Sequence, residues 1–279
     1  MRWGYNTNGL AHHDLVQAIH LLAEIGYESV AITIDHGALD PSNDGWRDQA
    51  AQVKASLDGL GMRSVIETGA RYLLDPRAKH EPTLVSADAH GRDRRIAFYK
   101  HAIDVARRLG SDCVSLWSGV VRDKTDDATA WSRLVTGLEE VCAYAAEQGV
   151  IIGFEPEPGM LIDTMAKYEK LASQINSPQF QLTLDIGHLH CQGETPLEDF
   201  IRRAAPRIVN VHLEDMRAGV HEHLMFGEGE IDFAPVIAAL AQIHYGGGIH
   251  VELSRHSHEG PSVARKAWEF LHPLKVDSL

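Results

Sequence analysis

The chain has 279 residues, 44% of them hydrophobic and 23% charged, and a formal net charge of −13 with histidine neutral. Such a length buries a full core, as one large α/β barrel or two small domains, and the acidic balance argues against a nucleic-acid backbone as the main partner. No apolar run approaches the ~20 residues of a spanning helix, so no membrane partner is expected, and the opening MRWGYNTNG lacks the regions of a signal peptide.

From the N-terminus, short apolar runs alternate with longer amphipathic ones. Strand 2–5 precedes helix 13–25, strand 29–34 precedes helix 46–60, strand 63–67 precedes helix 93–109, and strand 113–117 precedes helix 128–148. In the second half, strand 151–155 precedes helix 165–175, 181–185 precedes 197–204, 208–213 precedes 233–243, and 248–253 precedes 261–270. Glycines stand where four helices should stop, at Gly26, Gly61, Gly110 and Gly149. Eight βα units in 279 residues, about 35 each, predict a single (β/α)8 TIM barrel domain over 1–279. A doubly wound sheet would carry a glycine-rich phosphate turn, and NTNGLAHH after the first strand does not match it, so no nucleotide cofactor is expected. The longest non-periodic stretch, 68–91, carries Arg71, Lys79 and His80 and reads as a lid or binding loop. Three scattered cysteines, Cys113, Cys142 and Cys191, read as reduced thiols of a cytoplasmic protein, with Cys191 as a small semi-buried residue.

Four runs of the second half end in a potential metal ligand: VIIGFEPEP with Glu155, FQLTLDIGH with Asp185, RIVNVHLED with His212 and GGIHVELSR with Glu252. The carboxyl ends of parallel strands are where α/β folds build their active sites, so the four predict one divalent-cation site. Glu157, two residues after Glu155, competes with it for the ligand role. Asp185 has an alternative duty as a helix cap, weakened because the next helix is expected only near Pro196. An unpaired Glu252 between Val251 and Leu253 would be costly to bury, and a cation would pair it. Three carboxylates and one imidazole favour Mn²⁺ first, with Mg²⁺, Co²⁺ or Zn²⁺ as alternatives. Such a cation polarises a carbonyl and acidifies the neighbouring C–H. The run HEHLMFGEGEIDF is either a solvated loop or an extended segment with His221 and His223 on one side, which together with His188 binds substrate or a second metal.

The order Glu155, Asp185, His212, Glu252, with FEPEP, LDIGH, NVHLED and H-x-H…GEGEIDF followed by HVEL, resembles the xylose-isomerase-like TIM-barrel superfamily over nearly the whole chain. That superfamily includes sugar and sugar-phosphate isomerases and epimerases and the endonuclease IV type of nuclease. The resemblance implies a sugar, sugar-phosphate or cyclic-polyol isomerase or epimerase working through an enediolate. Glu155 and Glu252 are then the acid–base pair, Asp185 and His212 further ligands, and His188 and Arg217 substrate contacts. A homo-oligomer is compatible with it. The alternatives are an inosose-type dehydratase, an endonuclease IV-like phosphodiesterase and a non-catalytic sugar-binding barrel. The nuclease branch takes histidines from earlier strands, and ETGARYLL and LWSGV supply none in register.

Overall fold

A computed structural model describes residues 1–275. Its centre is a closed barrel of eight parallel strands. These are β1 (Arg2–Asn6), β2 (Ser29–Thr33), β3 (Arg63–Glu67), β4 (Val114–Leu116), β5 (Ile152–Phe154), β6 (Phe180–Asp185) and β7 (Ile208–Leu213), closed by β10 (Gly248–Val251), which pairs with both β7 and β1. Between them lie α1 (Leu15–Ile25), α2 (Trp46–Leu60), α3 (Ala89–Leu109), α4 (Asp127–Gln148), α5 (Met165–Ala172), α6 (Ile186–Cys191), α7 (Leu197–Ala204) and α8 (Phe233–Gln242), and α9 (Gly260–Leu271) follows the last strand. One antiparallel hairpin, β8 (Asp215–Arg217) and β9 (Val220–Leu224), stands outside the barrel between β7 and α8. All eight barrel strands coincide with expected runs, because each is an apolar segment buried on both faces between helix layers.

Three departures from the expected elements have local causes. Helix α3 begins at Ala89 rather than 93, because the Asp88 side chain accepts from Gly91 N–H and caps it earlier. Asp185 does cap a helix: its Oδ1 accepts from His188 N–H at 2.8 Å and starts the short α6, which the polar LDIGHLHC pattern did not reveal. The hairpin was not expected as secondary structure. It is held by the Asp215 carboxylate, which accepts from the N–H groups of Gly227, Gly229 and Ile231 at 2.8, 2.9 and 3.1 Å. The GEGEI motif is thus a backbone wrap around Asp215, and Gly229 lies too close to that carboxylate to carry a Cβ.

The barrel interior is not wholly apolar. His250 donates from Nδ1 to Asn210 Oδ1 (2.8 Å) and accepts from Ser29 Oγ (2.9 Å). The imidazole fills space that a Cβ at Gly4 on β1 or at Gly248 on its own strand would occupy, which is why both positions carry glycine. Burial pushes the His250 pKa well below the usual range, so the ring is neutral and can play both hydrogen-bonding roles. No helix among the described residues is long and apolar enough to cross a membrane. Cys113, Cys142 and Cys191 are buried free thiols.

Candidate metal centre

Glu155 directly follows β5, Asp185 ends β6, His212 lies within β7 and Glu252 directly follows β10. These four strands are consecutive neighbours in the barrel, and Asp185 pairs in register with His212. Each of the four residues offers one ligand atom, and those atoms all lie within 4.8 Å of one another. His212 Nδ1 stands 3.0 Å from Glu155 Oε1, 3.1 Å from Glu252 Oε2 and 3.9 Å from Asp185 Oδ2. Glu157 is not in this set and lines the cavity above it.

Surrounding bonds fix how each group presents itself. Asn8 Nδ2 donates to Glu252 Oε1 at 2.9 Å, so Oε2 turns toward His212. Asp185 uses Oδ1 as a cap, and its buried Oδ2 has no hydrogen-bond partner among the described residues. His212 Nε2 lies 2.9 Å from Glu67 Oε1, which also accepts from Asn210 Nδ2 at 3.2 Å. A proton on Nε2 donated to Glu67 leaves the Nδ1 lone pair aimed at the three carboxylates, the arrangement of a ligating histidine with a carboxylate behind it. The network Ser29–His250–Asn210–Glu67 runs through the barrel interior to secure that tautomer.

The electrostatics are those of an acid cluster short of positive charge. Burial raises the Glu155 carboxyl to about 8, with His212 opposing the shift. Burial also acts to raise Asp185 and Glu252, but nearby histidines outweigh it and both sit below their ordinary range. His212 is lowered by burial, outweighed by Glu67, Glu155 and Glu252, and ends well above its usual value. At most one imidazolium therefore faces three carboxyl groups in a largely buried site, an imbalance that a divalent cation would offset. The orphaned Asp185 Oδ2, the converging lone pairs and the oxygen-rich donor set all fit such an ion.

A second cluster adjoins the first. His188 on α6 and His221 and His223 on β9 bring one ring nitrogen each within 4.8 Å of the others. Alternation along β9 puts His221 and His223 on one face, while Glu222 on the other pairs with Arg255 at 2.8 Å. His188 Nδ1 donates to Pro156 O (3.1 Å) and His223 Nδ1 donates to Glu252 O (3.1 Å), which leaves both Nε2 atoms as acceptors, and that of His188 accepts from His221 Nε2–H at 3.1 Å. Burial lowers the pKa of His188, and lowers that of His221 to about 4. Of the two clusters and Glu157, seven residues line one open cavity, namely Glu155, Glu157, His188, His212, His221, His223 and Glu252, and Asp185 lies beside His212 and His188 without lining it. Arg217 is exposed, donates to Glu228 O at 2.8 Å and is not brought to the cavity.

The cavity has a volume of about 600 Å³ and is also walled by Asn8, Arg71, His80 and Trp117. Residues that sequence reasoning did not single out include Glu67, Asn8, Asn210 and His250. Another is Glu214, fully buried with both carboxylate oxygens lacking a hydrogen-bond partner among the described residues. Burial, then Asp185 and Glu252, push its pKa well above the ordinary range. Its position in VHLED was visible, but strand alternation alone does not say that the residue two after His212 is enclosed by α6 and the hairpin.

Comparison with known proteins adds the following. A family model described as "Xylose isomerase-like TIM barrel" matches residues 19–274. L-ribulose-5-phosphate 3-epimerase UlaE from Shigella flexneri serotype 5b (strain 8401) is 26% identical over 249 residues, 88% of this chain and 84% of that protein. Inosose dehydratase of Lacticaseibacillus casei is 34% identical over 145 residues, covering 46% of this chain and 48% of that protein. Among solved structures, D-psicose 3-epimerase from Clostridium cellulolyticum H10 with D-tagatose superposes with a TM-score of 0.77 at 19% identity, over 99% of this chain and all (100%) of that one. The 3-keto-D-glucoside 4-epimerase YcjR from E. coli gives 0.80 at 14% identity, over 98% of this chain and 99% of that one. At such identities the superpositions speak for the fold.

Proposed function

The chain belongs to the xylose isomerase-like TIM barrel family, and on that premise we propose that it is a divalent-metal-dependent isomerase or epimerase of a sugar, sugar phosphate or cyclic polyol. The observation that carries the reading is the convergence of Glu155, Asp185, His212 and Glu252 at one end of the barrel, beneath a polar cavity large enough for a sugar. The relatives named as a ribulose-phosphate epimerase and an inosose dehydratase support the substrate class.

In this proposal the four residues hold one cation, Mn²⁺ by preference and otherwise Mg²⁺, Co²⁺ or Zn²⁺, and no nucleotide cofactor is used. When bound, the cation supplies Lewis-acid polarisation of neighbouring substrate oxygens. Glu155 and Glu252 take and return the proton on the carbon next to the carbonyl, one carboxylate to each side. Asn8 keeps the Glu252 carboxylate oriented through its 2.9 Å bond to Oε1. Glu67 holds the His212 tautomer, so the imidazole does not drift into proton transfer of its own. His188, His221 and His223 accept hydrogen bonds from substrate hydroxyls. With pKa values pushed down, His188 and His221 stay neutral near pH 7, and a substrate hydroxyl reaches the His188 Nε2 lone pair by displacing His221 from it.

The test is a metal-reconstituted screen over ketoses, inososes and their phosphates in D₂O, followed by NMR. The expected result is deuterium at the carbon next to the carbonyl of one substrate class, and turnover abolished by chelator. Absence of both exchange and conversion with every metal and sugar would sink the reading. A phosphodiesterase draws support from one observation, the three-histidine cluster beside the four-ligand site. It requires more than one metal per chain, which elemental analysis separates from the first reading.

A further inference from the structure

The stretch 68–88 between β3 and α3 contains neither helix nor strand, and one buried side chain, Arg95, gathers three of its carbonyls. Arg95 on α3 is fully buried at 0% exposure and forms no salt bridge among the described residues. Its guanidinium donates to the carbonyls of Pro82 (2.6 Å), His80 (2.6 Å) and Thr68 (3.2 Å), and lies over the rings of Trp117, Tyr99 and Phe98 at 5.1–5.5 Å. Guanidinium is the cation best suited to such a place, because its fork satisfies several carbonyls and its plane stacks on aromatic faces.

The residue that this post holds is unusual. His80 sits at φ +66°, in the left-handed region that a non-glycine residue adopts at a cost. Its backbone N–H donates to Arg71 O at 2.6 Å, and its Nδ1–H donates to Gly69 O at 2.6 Å. Its ring meets Trp117 edge-on at 5.6 Å, and both side chains wall the cavity. With Nδ1 committed to a carbonyl, Nε2 is left as the acceptor of the ring, and Nδ1 makes the one side-chain hydrogen bond of His80 among the described residues. Burial lowers the pKa, so the ring is neutral near pH 7. A purely structural loop histidine has no need of a strained backbone and three restraints to present an unused lone pair to a cavity.

We propose that His80 is a recognition residue, whose Nε2 accepts a hydrogen bond from a hydroxyl of a polyhydroxy carbonyl substrate, and that Arg95 is the positioning residue that holds it. The proposal rests on the sugar reading above, and places part of the specificity on the β3–α3 loop, opposite the proposed ligands.

The test uses full-length protein loaded with Mg²⁺ and labelled with ¹⁵N-histidine, with His80 assigned by comparison with His80→Asn. Asparagine tolerates the left-handed backbone but does not reach as far. Long-range ¹H–¹⁵N spectra are followed during titration with D-allulose, L-ribulose, their phosphate esters and an inosose. The expected result is a neutral ring protonated at Nδ1, and movement of the His80 Nε2 resonance together with that of His188. With the substrate turned over, His80→Asn should raise KM about fivefold with kcat within about twofold, the size of one neutral hydrogen bond. Arg95→Lys should raise KM in the same way, and the double variant should add nothing further, since Arg95 acts through His80. A purely structural role for Arg95 would make the two effects additive. An Nε2–H tautomer, or movement of His188 and His221 with His80 still, overturns this assignment alone. If no ring moves with any of the sugars, the sugar reading falls and the assignment falls with it.

Discussion

The four-residue cluster and the three-histidine cluster lie side by side but are built differently. Glu155, Asp185, His212 and Glu252 stand at the ends of neighbouring barrel strands, where backbone pairing on both sides fixes them. His188, His221 and His223 come from a one-turn-and-a-half helix and an added hairpin, held by Asp185 as a cap and by the backbone wrap around Asp215. The first cluster gathers three carboxylates around one imidazole, the second only imidazole rings. Rigid placement suits groups that must share an ion and move a proton, because a small displacement there is costly. Acceptors on an appended hairpin suit recognition, since a hairpin can differ between relatives while the barrel stays the same.

That contrast breaks first on activity. Glu155→Gln and Glu252→Gln should each lower kcat by about 10²–10⁴-fold, as expected for loss of a general acid–base group. Replacing His221 and His223 together by Ala should act mainly on KM, by about tenfold. Steady-state kinetics of the three variants decide it, and an equal loss of kcat in the double histidine variant would erase the distinction. Metal content is the next measure. Asp185→Asn should lose most of the bound cation by elemental analysis, whereas the double histidine variant should keep one per chain. Unchanged metal in Asp185→Asn would remove that residue from the ligand set.

The two clusters should also respond oppositely to pH in chelator-treated protein. Glu155 is raised from the ordinary 4.5 to about 8 on folding, so its contribution is full below pH 4.5 and is lost as pH rises through about 8. His221 is lowered from 6.5 to about 4, so its contribution is present above pH 6.5 and is lost as pH falls through about 4. Thermal unfolding of Glu155→Gln and His221→Ala against wild type across pH 4–9 should show differences that shrink at opposite ends of the range. Parallel profiles would refute the assignment of either slope.

A smaller effect concerns the seam between the clusters. A Cβ at Gly187 would collide with the Glu214 carboxylate and the Met216 side chain. Gly187→Ala should destabilise the fold by about 1–3 kcal/mol through overpacking, read by denaturant unfolding. Smallest of all is Arg217→Ala. Its side chain is engaged with Glu228 O outside the cavity, so kcat/KM should stay within about twofold, and a loss beyond tenfold would bring Arg217 back as a substrate contact.

Much of the barrel was legible because its strands are short apolar runs separated by helical periods, with glycines at positive φ ending four helices. The candidate ligands were legible for the same reason: a polar residue at the end of an apolar strand stands out, and four in succession point to one rim. The supporting residues were not. Glu67 and Asn210 are ordinary strand residues by sequence, and only closure of the barrel brings β3 across to β7, 2.9 Å from Glu67 Oε1 to His212 Nε2. His80 lay in a stretch with no periodicity, so pattern could mark it only as loop. Periodicity and strand-end chemistry, which are local in the chain, therefore determined the fold class and the candidate ligands. Tautomers, orphaned oxygens and the separation of Arg217 from the cavity depend on side chains far apart in sequence, and only packing in three dimensions decided them.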